Sequence, residues 1–280
     1  MRNLSVNLII DAVEEACIKM NYLIDDKILK MMTHCSENES SNLGKSILQD
    51  LMLNAEQARL MKAPLCQDTG MIVAFVTIGQ EIHIEDGSLE LAIQEGIRRG
   101  YEKGYLRKSV VSDPLIRKNT NDNTPGVIHY ELVPGDGFEI ELAAKGFGSE
   151  NMSQSKMLKP SDGVQGVMDF VVDTVLAAGS NPCPPMVIGV GIGGTLDKAA
   201  QIAKRALFRP LNTPHKEAHV AELEKKILEA VNATGIGPQG LGGLTTAFAV
   251  HIEVFPTHIA GLPVVVNINC HASRHEKVVL

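Results

Sequence analysis

Pro64 divides the 280-residue chain into two periodicities, and that division constrains the fold more than any other feature of the sequence. Before it, apolar residues recur every three to four positions. The run opens with "VNLIIDAVEEACIKMNYLI" and resumes in "LGKSILQDLMLNAEQARLMK" after the polar break "SENESSN". Such spacing lines one face of a helix, so residues 4 to 62 predict helices. Beyond Pro64 strand-like runs appear between further helices. "MIVAFVTIG" (71–79) is rich in β-branched residues and predicts a buried strand. "GVIHYELVPGDGFEIELAAKG" (126–146) predicts a hairpin, two alternating runs around a Pro-Gly-Asp-Gly turn. Helices are predicted over 88–104, 161–179, 195–208 and 216–235, and strands over 185–192, 244–255 and 262–270. No repeat or linker interrupts them. The expectation is one mixed α/β domain over 1–280, with a helical N-terminal region (1–62) packed on an α/β body (63–280) that holds a mixed sheet.

Composition excludes several functions. Net charge is −7 without a long basic run, which argues against nucleic acid as a partner. No segment approaches the roughly 20 apolar residues of a membrane span. The N-terminus superficially resembles a signal peptide, but Asp11, Glu14 and Glu15 interrupt its apolar stretch and no small-residue cleavage site follows. A cytoplasmic protein is expected.

Five cysteines, an odd number, fit a disulfide framework poorly. Cys17 and Cys35 lie in helical sequence and read as small packed thiols. Cys66 ("APLCQDTG"), Cys183 ("GSNPCPP") and Cys270 ("PVVVNINC") instead sit at junctions of loop and strand, where functional groups concentrate. No Cys-x-x-Cys pair exists, so a zinc ribbon is not indicated. Three dispersed thiolates suit an iron–sulfur cluster with one iron lacking a protein thiolate, but on spacing by itself unrelated buried thiols are the stronger reading. Both remain open. "GVGIGGT" does not fit G-x-G-x-x-G at the right offset to a helix, so a close strand-to-helix turn is expected there rather than a dinucleotide site.

The motifs "APLCQDTG", "DPLIRKNTNDNTPGVIHYELVPGD", "KGFGSEN", "NPCPPMVIGVGIGGT", "GIGPQGLGG" and "PTHIAGLPVVVNINCHASRH" follow one another in this order. Together they resemble the iron–sulfur-dependent hydro-lyases of the class I fumarate hydratase and L-tartrate dehydratase family, over the alpha, N-terminal catalytic part. The resemblance implies a [4Fe–4S] cluster held by Cys66, Cys183 and Cys270. It also implies reversible dehydration of a small 2-hydroxy-dicarboxylate, malate/fumarate first and L-tartrate second. Readings of a different class are a nucleotide-binding oxidoreductase and a non-catalytic subunit holding a structural cluster.

Individual positions carry over in the same way. Gln67 is implied to bind substrate and Asp68 to take part in acid–base chemistry, whereas without the resemblance Asp68 and Thr69 read as a turn before Gly70. Arg107 and Arg117 are both candidate carboxylate clamps, and the resemblance favours Arg107. "NTNDNTPG" reads as polar groups satisfying a tight loop. In "KGFGSEN" the family pattern tends towards three glycines; Phe147 replaces the middle one, and Gly148 is implied as a substrate contact. His258 is implied to bind substrate, and His271 and His275 flank the last cysteine. The chain stops ten residues after Cys270. A second domain, completing the active site, is therefore expected on a separate beta subunit, in an α2β2 assembly containing a homodimer of this chain.

Overall fold

Ser5 opens the first helix by accepting the Asn7 N–H, which satisfies one of the orphan donors of a helix start. The computed structural model describes residues 1–280. Its elements run β1 (Arg2–Ser5), α1 (Val6–Tyr22), α2 (Asp26–Asn38), α3 (Asn42–Met61), β2 (Met71–Gly79), β3 (Ile82–Glu85), α4 (Leu89–Lys103), β4 (Val127–Val133) and β5 (Phe138–Lys145). They continue with α5 (Phe147–Glu150), β6 (Gln154–Leu158), α6 (Gly163–Ala178), β7 (Met186–Gly193), α7 (Leu196–Ala206), α8 (Ala218–Asn232), β8 (Ala247–Phe255), β9 (Leu262–Asn269) and β10 (His275–Val279). The fold is mixed α/β, with helices dominating before Pro64 and strands alternating with helices beyond it. No helix is long and apolar enough to cross a membrane. The chain forms two units: Met1–Ile24 with Asn54–Phe147 and Arg274–Leu280, and Asp25–Leu53 with Gly148–Ser273. The N-terminal helices are thus shared out, α1 to the first unit and α2 to the second.

In the first unit the sheet order is β10-β5-β2-β4. Helices α1 and α4 pack together over it, burying Ile9, Val13, Ile93, Ile97 and Tyr101 against Ile72, Ala74, Ile140 and Leu142. Gly96 and Gly100 permit that approach: a Cβ on either would lie 2.7 Å from the Cβ of Val13 or Cys17. The expected hairpin does not form. Both strands and the turn are present, but β2 lies between them, parallel to β4 and antiparallel to β5. The turn wraps the end of β2 instead, with Gly79 N–H donating to Gly137 O, Gln80 N–H to Val133 O and Glu81 N–H to Gly135 O. The run 71–79 is buried on both faces through most of its length, so it takes the central place, and the half-exposed β4 goes to the edge.

In the second unit the order is β6-β9-β7-β8, with β7 parallel to β8 and antiparallel to β9. Ile188 and Val190 of β7 face the core shared with α6 and α8. Gly189 and Gly191 face the opposite side, where α7 presses so closely that an added Cβ would lie 2.2 Å from Ala203 O or 2.0 Å from Ala199 O. Gly193 and Gly194 then turn the chain at positive φ into α7. The glycines of "GVGIGGT" therefore serve a close strand-to-helix packing.

Candidate functional site

Cys66, Gln67, Asp68 and Arg107 belong to the first unit. The loop that carries the first three is fastened carbonyl by carbonyl. Leu65 O accepts from Asn54 Nδ2 at 3.0 Å and Asp68 O from Arg274 Nη1 at 2.6 Å. The buried Tyr101 hydroxyl lies within hydrogen-bonding distance of both Thr69 O (2.6 Å) and Gly70 O (3.0 Å), and Gly70 O also accepts from Asn123 Nδ2. Asp68 holds the Gly70 N–H on Oδ1 (2.9 Å) and the Phe147 N–H on Oδ2 (2.8 Å). The Phe147 N–H in "KGFGSEN" is thus engaged by the chain's own carboxylate. Thr69 Oγ1 donates to Arg107 O at 3.0 Å, which sets Arg107 beside this loop with an exposed side chain. Gln67 is exposed, and its Oε1 lies 3.4 Å from Cys66 Sγ.

The segment 119–124 is structural, as its composition predicts. Asn119 donates to Lys108 O, Asp122 accepts the Thr124 N–H, and buried Asn123 accepts the Ser109 N–H. Arg117 stands exposed, with positive φ.

Cys183, Cys270, Gly148 and His258 belong to the second unit. Cys183 is exposed at φ 53°, ahead of a cis Pro184–Pro185 bond. Its carbonyl accepts the His271 N–H at 3.4 Å and lies 3.0 Å from His271 Nδ1. Cys270, half-buried, ends β9 beside the start of β7, where Val187 pairs with Asn269. Two cysteines far apart in sequence therefore stand at one end of the β7–β9 pair. Gly148 joins them: a Cβ there would lie 3.3 Å from Asn181 O, two residues before Cys183. Glu150 fastens that segment by accepting from Asn267 Nδ2 at 3.0 Å.

His258 does not join them. It lies exposed in the β8–β9 connection, at the opposite end of the sheet. The eight residues of β9 separate it from Cys270, about 26 Å at 3.3 Å per residue. His271 stands at the Cys183 loop, whereas His275 begins β10 in the first unit.

Three residues that sequence reasoning passed over hold these loops. Arg274 is 3% exposed and donates from Nη1 to Asn21 Oδ1 as well as to Asp68 O; its buried Nε has no partner. Asn21 is fully buried, and its carbonyl accepts the Leu65 N–H. Gln239 donates from its backbone N–H (2.8 Å) and from Nε2 (2.7 Å) to Pro184 O. Arg274 had a signal, a charged residue between the last cysteine and a strand. Gln239 had one too, the sole long polar side chain in the glycine-rich "GIGPQGLGG".

All five cysteines are free thiols. Burial pushes the Cys17 thiol far up and the Cys35 thiol up, so neither offers a thiolate readily. Cys66, Cys183 and Cys270 are half-buried or exposed on loops and suit a ligand role. No three His, Cys, Asp or Glu side chains form a ready-made metal cage, and the three thiols divide one and two between the units.

Comparison with known proteins bears on this arrangement. The fumarate hydratase (Fumerase) family model matches residues 10–279. A protein of Methanocaldococcus jannaschii named "Putative L(+)-tartrate dehydratase subunit alpha" is 41% identical over 274 residues, covering 96% of this chain and 94% of that protein. The L(+)-tartrate dehydratase subunit alpha of Escherichia coli K12 is 32% identical over 274 residues, covering 96% of this chain and 90% of its own. The same identity and coverage hold for the subunit of that name in Shigella sonnei. The match runs through every loop described above, and the chain belongs to the fumarate hydratase (Fumerase) family.

Proposed function

We propose that this chain is the alpha subunit of a cytoplasmic hydro-lyase that interconverts a small 2-hydroxy-dicarboxylate and its unsaturated product, with malate/fumarate as the substrate pair. The observation that carries this reading is the presentation of Cys183 and Cys270 side by side at one end of the β7–β9 pair. The names of the relatives favour a second substrate, L-tartrate, on the same machinery.

A [4Fe–4S] cluster held by Cys66, Cys183 and Cys270 would supply one open iron as a Lewis acid towards the substrate hydroxyl. The chain's own residues do the rest. Arg107, exposed beside the Thr69 carbonyl loop, would clamp a carboxylate through its planar fork. Gln67 would orient the substrate next to Cys66. Asp68 would exchange a proton, its carboxylate aimed in advance by two backbone N–H groups. Gly148 would admit substrate close to the backbone. His258, at the far end of its sheet, would serve the site of a second copy of this chain, consistent with an α2 core in an α2β2 enzyme. The remaining groups would come from a beta subunit, as the relatives' designation as alpha subunits supports.

The test is anaerobic reconstitution of this chain with iron and sulfide, followed by assays of fumarate hydration and L-tartrate dehydration with and without a beta subunit. Brown protein whose activity requires the partner is expected, and the faster reaction identifies the substrate. A colourless, iron-free chain would sink the cluster reading. Full turnover by the chain alone would remove the beta subunit.

A further inference from the structure

We propose that Gln239 and His271 form a bracket that positions Cys183 against Cys270, and so fixes the spacing of two of the three cluster thiolates. This rests on the reading of both cysteines as ligands. His271 follows Cys270 directly and reaches back to the Cys183 carbonyl with its backbone N–H (3.4 Å) and with Nδ1 (3.0 Å). An oxygen acceptor at 3.0 Å requires the proton on Nδ1, so the ring donates there. Gln239 grips the next carbonyl, that of Pro184, with two donors, and its Nε2 lies 3.3 Å from His271 Nδ1. The two side chains thus close over consecutive carbonyls of the Cys183 loop.

Gln239 stands on a segment that is itself pinned. Thr246 Oγ1 accepts the Gly237 N–H, and both oxygens of the buried Glu39 accept the Leu244 N–H. A Cβ on Gly240 would lie 2.3 Å from Ser180 Cβ, so this segment rides directly on the start of the Cys183 loop. Gln239 also adopts φ 52° among five glycines of "GIGPQGLGG". A side chain is disfavoured at such a φ, and glycine would relieve it. The side chain is therefore there for what it holds. Cys183, at φ 53°, lies in the same unfavourable region, with its own carbonyl met by His271 and the following one by Gln239.

The experiment uses the full-length apo chain and phenylarsine oxide. That reagent forms two As–S bonds with a pair of adjacent thiols and releases one water, with no change of oxidation state. The wild-type chain should bind it at this pair, and Cys183→Ser or Cys270→Ser should abolish binding. Gln239→Gly should weaken binding by about 10-fold or more, the usual scale for residues that orient a ligand. Its melting temperature should stay level or rise, because the strained φ is relieved. His271→Ala should weaken binding similarly. His271→Asn, which can place an amide N–H near the Nδ1 position, should recover most of the affinity. Iron loss from the reconstituted chain to a chelator should follow the same ranking. Wild-type affinity in Gln239→Gly, or His271→Asn no better than His271→Ala, would overturn the bracket. Binding that is absent in the wild type, or that survives Cys183→Ser, would instead remove the pairing of the two cysteines on which it stands.

Discussion

Burial separates the five cysteines, side chain by side chain. Cys17 is fully buried beneath α4, whereas Cys183 is exposed and Cys66 and Cys270 are half-exposed. Cys66→Ser, Cys183→Ser and Cys270→Ser should each lower the iron content of anaerobically reconstituted protein, while Cys17→Ser and Cys35→Ser should leave it near wild type. Iron analysis of the five variants checks this, and full iron in Cys183→Ser would reject the assignment. A second residue-level expectation concerns His251, 3% exposed in β8. Burial, reinforced by the Arg209 guanidinium, pushes its pKa from 6.5 down to about 4. At pH 7 the ring is neutral whether the chain is folded or not. As pH falls below 6.5 the unfolded chain takes up a proton that the native ring refuses until about pH 4. Stability should therefore drop across that window, at up to about 1.4 kcal/mol per pH unit and roughly 3 kcal/mol in all. His251→Gln should remove that part of the acid slope, read as the unfolding free energy of both proteins at pH 7 and pH 5.

Helices and strands were legible in the sequence wherever periodicity ran long. The run 71–79 became β2 residue for residue, and Ser88 and Gly104 bound α4 as their positions predict. The short strands β1, β3, β6 and β10 were not legible, because four or five residues carry too little alternation. Pairing was not legible either. The Pro-Gly-Asp-Gly turn favours a local hairpin, but the preference of the apolar run 71–79 for the sheet centre overrode it. The cysteine positions at loop–strand junctions could be read, whereas the separation of His258 could not. Twelve residues before Cys270 looks close in sequence, but most of those residues are extended in β9. Arg274 and Gln239 act on carbonyls more than 50 positions away, contacts that no local pattern encodes. One packing consequence is testable at this scale. Gly191→Ala would push a Cβ to 2.0 Å from Ala199 O, a backbone atom that cannot rotate away, so α7 must shift. A loss of about 1–3 kcal/mol or more is expected in urea unfolding. Gly137→Ala meets nothing within 4 Å and should be near neutral. Equal effects would show that the closeness of α7 to β7 does not limit stability.

Considered whole, the chain crosses between its two units repeatedly. The first unit is assembled from 1–24, 54–147 and 274–280, so the second is largely an insertion into it. The strand β10 borders β5 only after 126 consecutive residues of the second unit have intervened. Contacts of such separation close late, because loop entropy must be overcome before they form.

This gives the order of biosynthesis a role. A ribosome releases the Cys66 loop early, but Arg274, the guanidinium that grips the Asp68 carbonyl, emerges only after Cys183 and Cys270 have been made. Until then the nascent Cys66–Asp68 segment lacks one of its clamps. The last clasp on the Cys66 loop is thus timed to the completion of the Cys270 loop, and a chain interrupted anywhere before Arg274 cannot close that clasp.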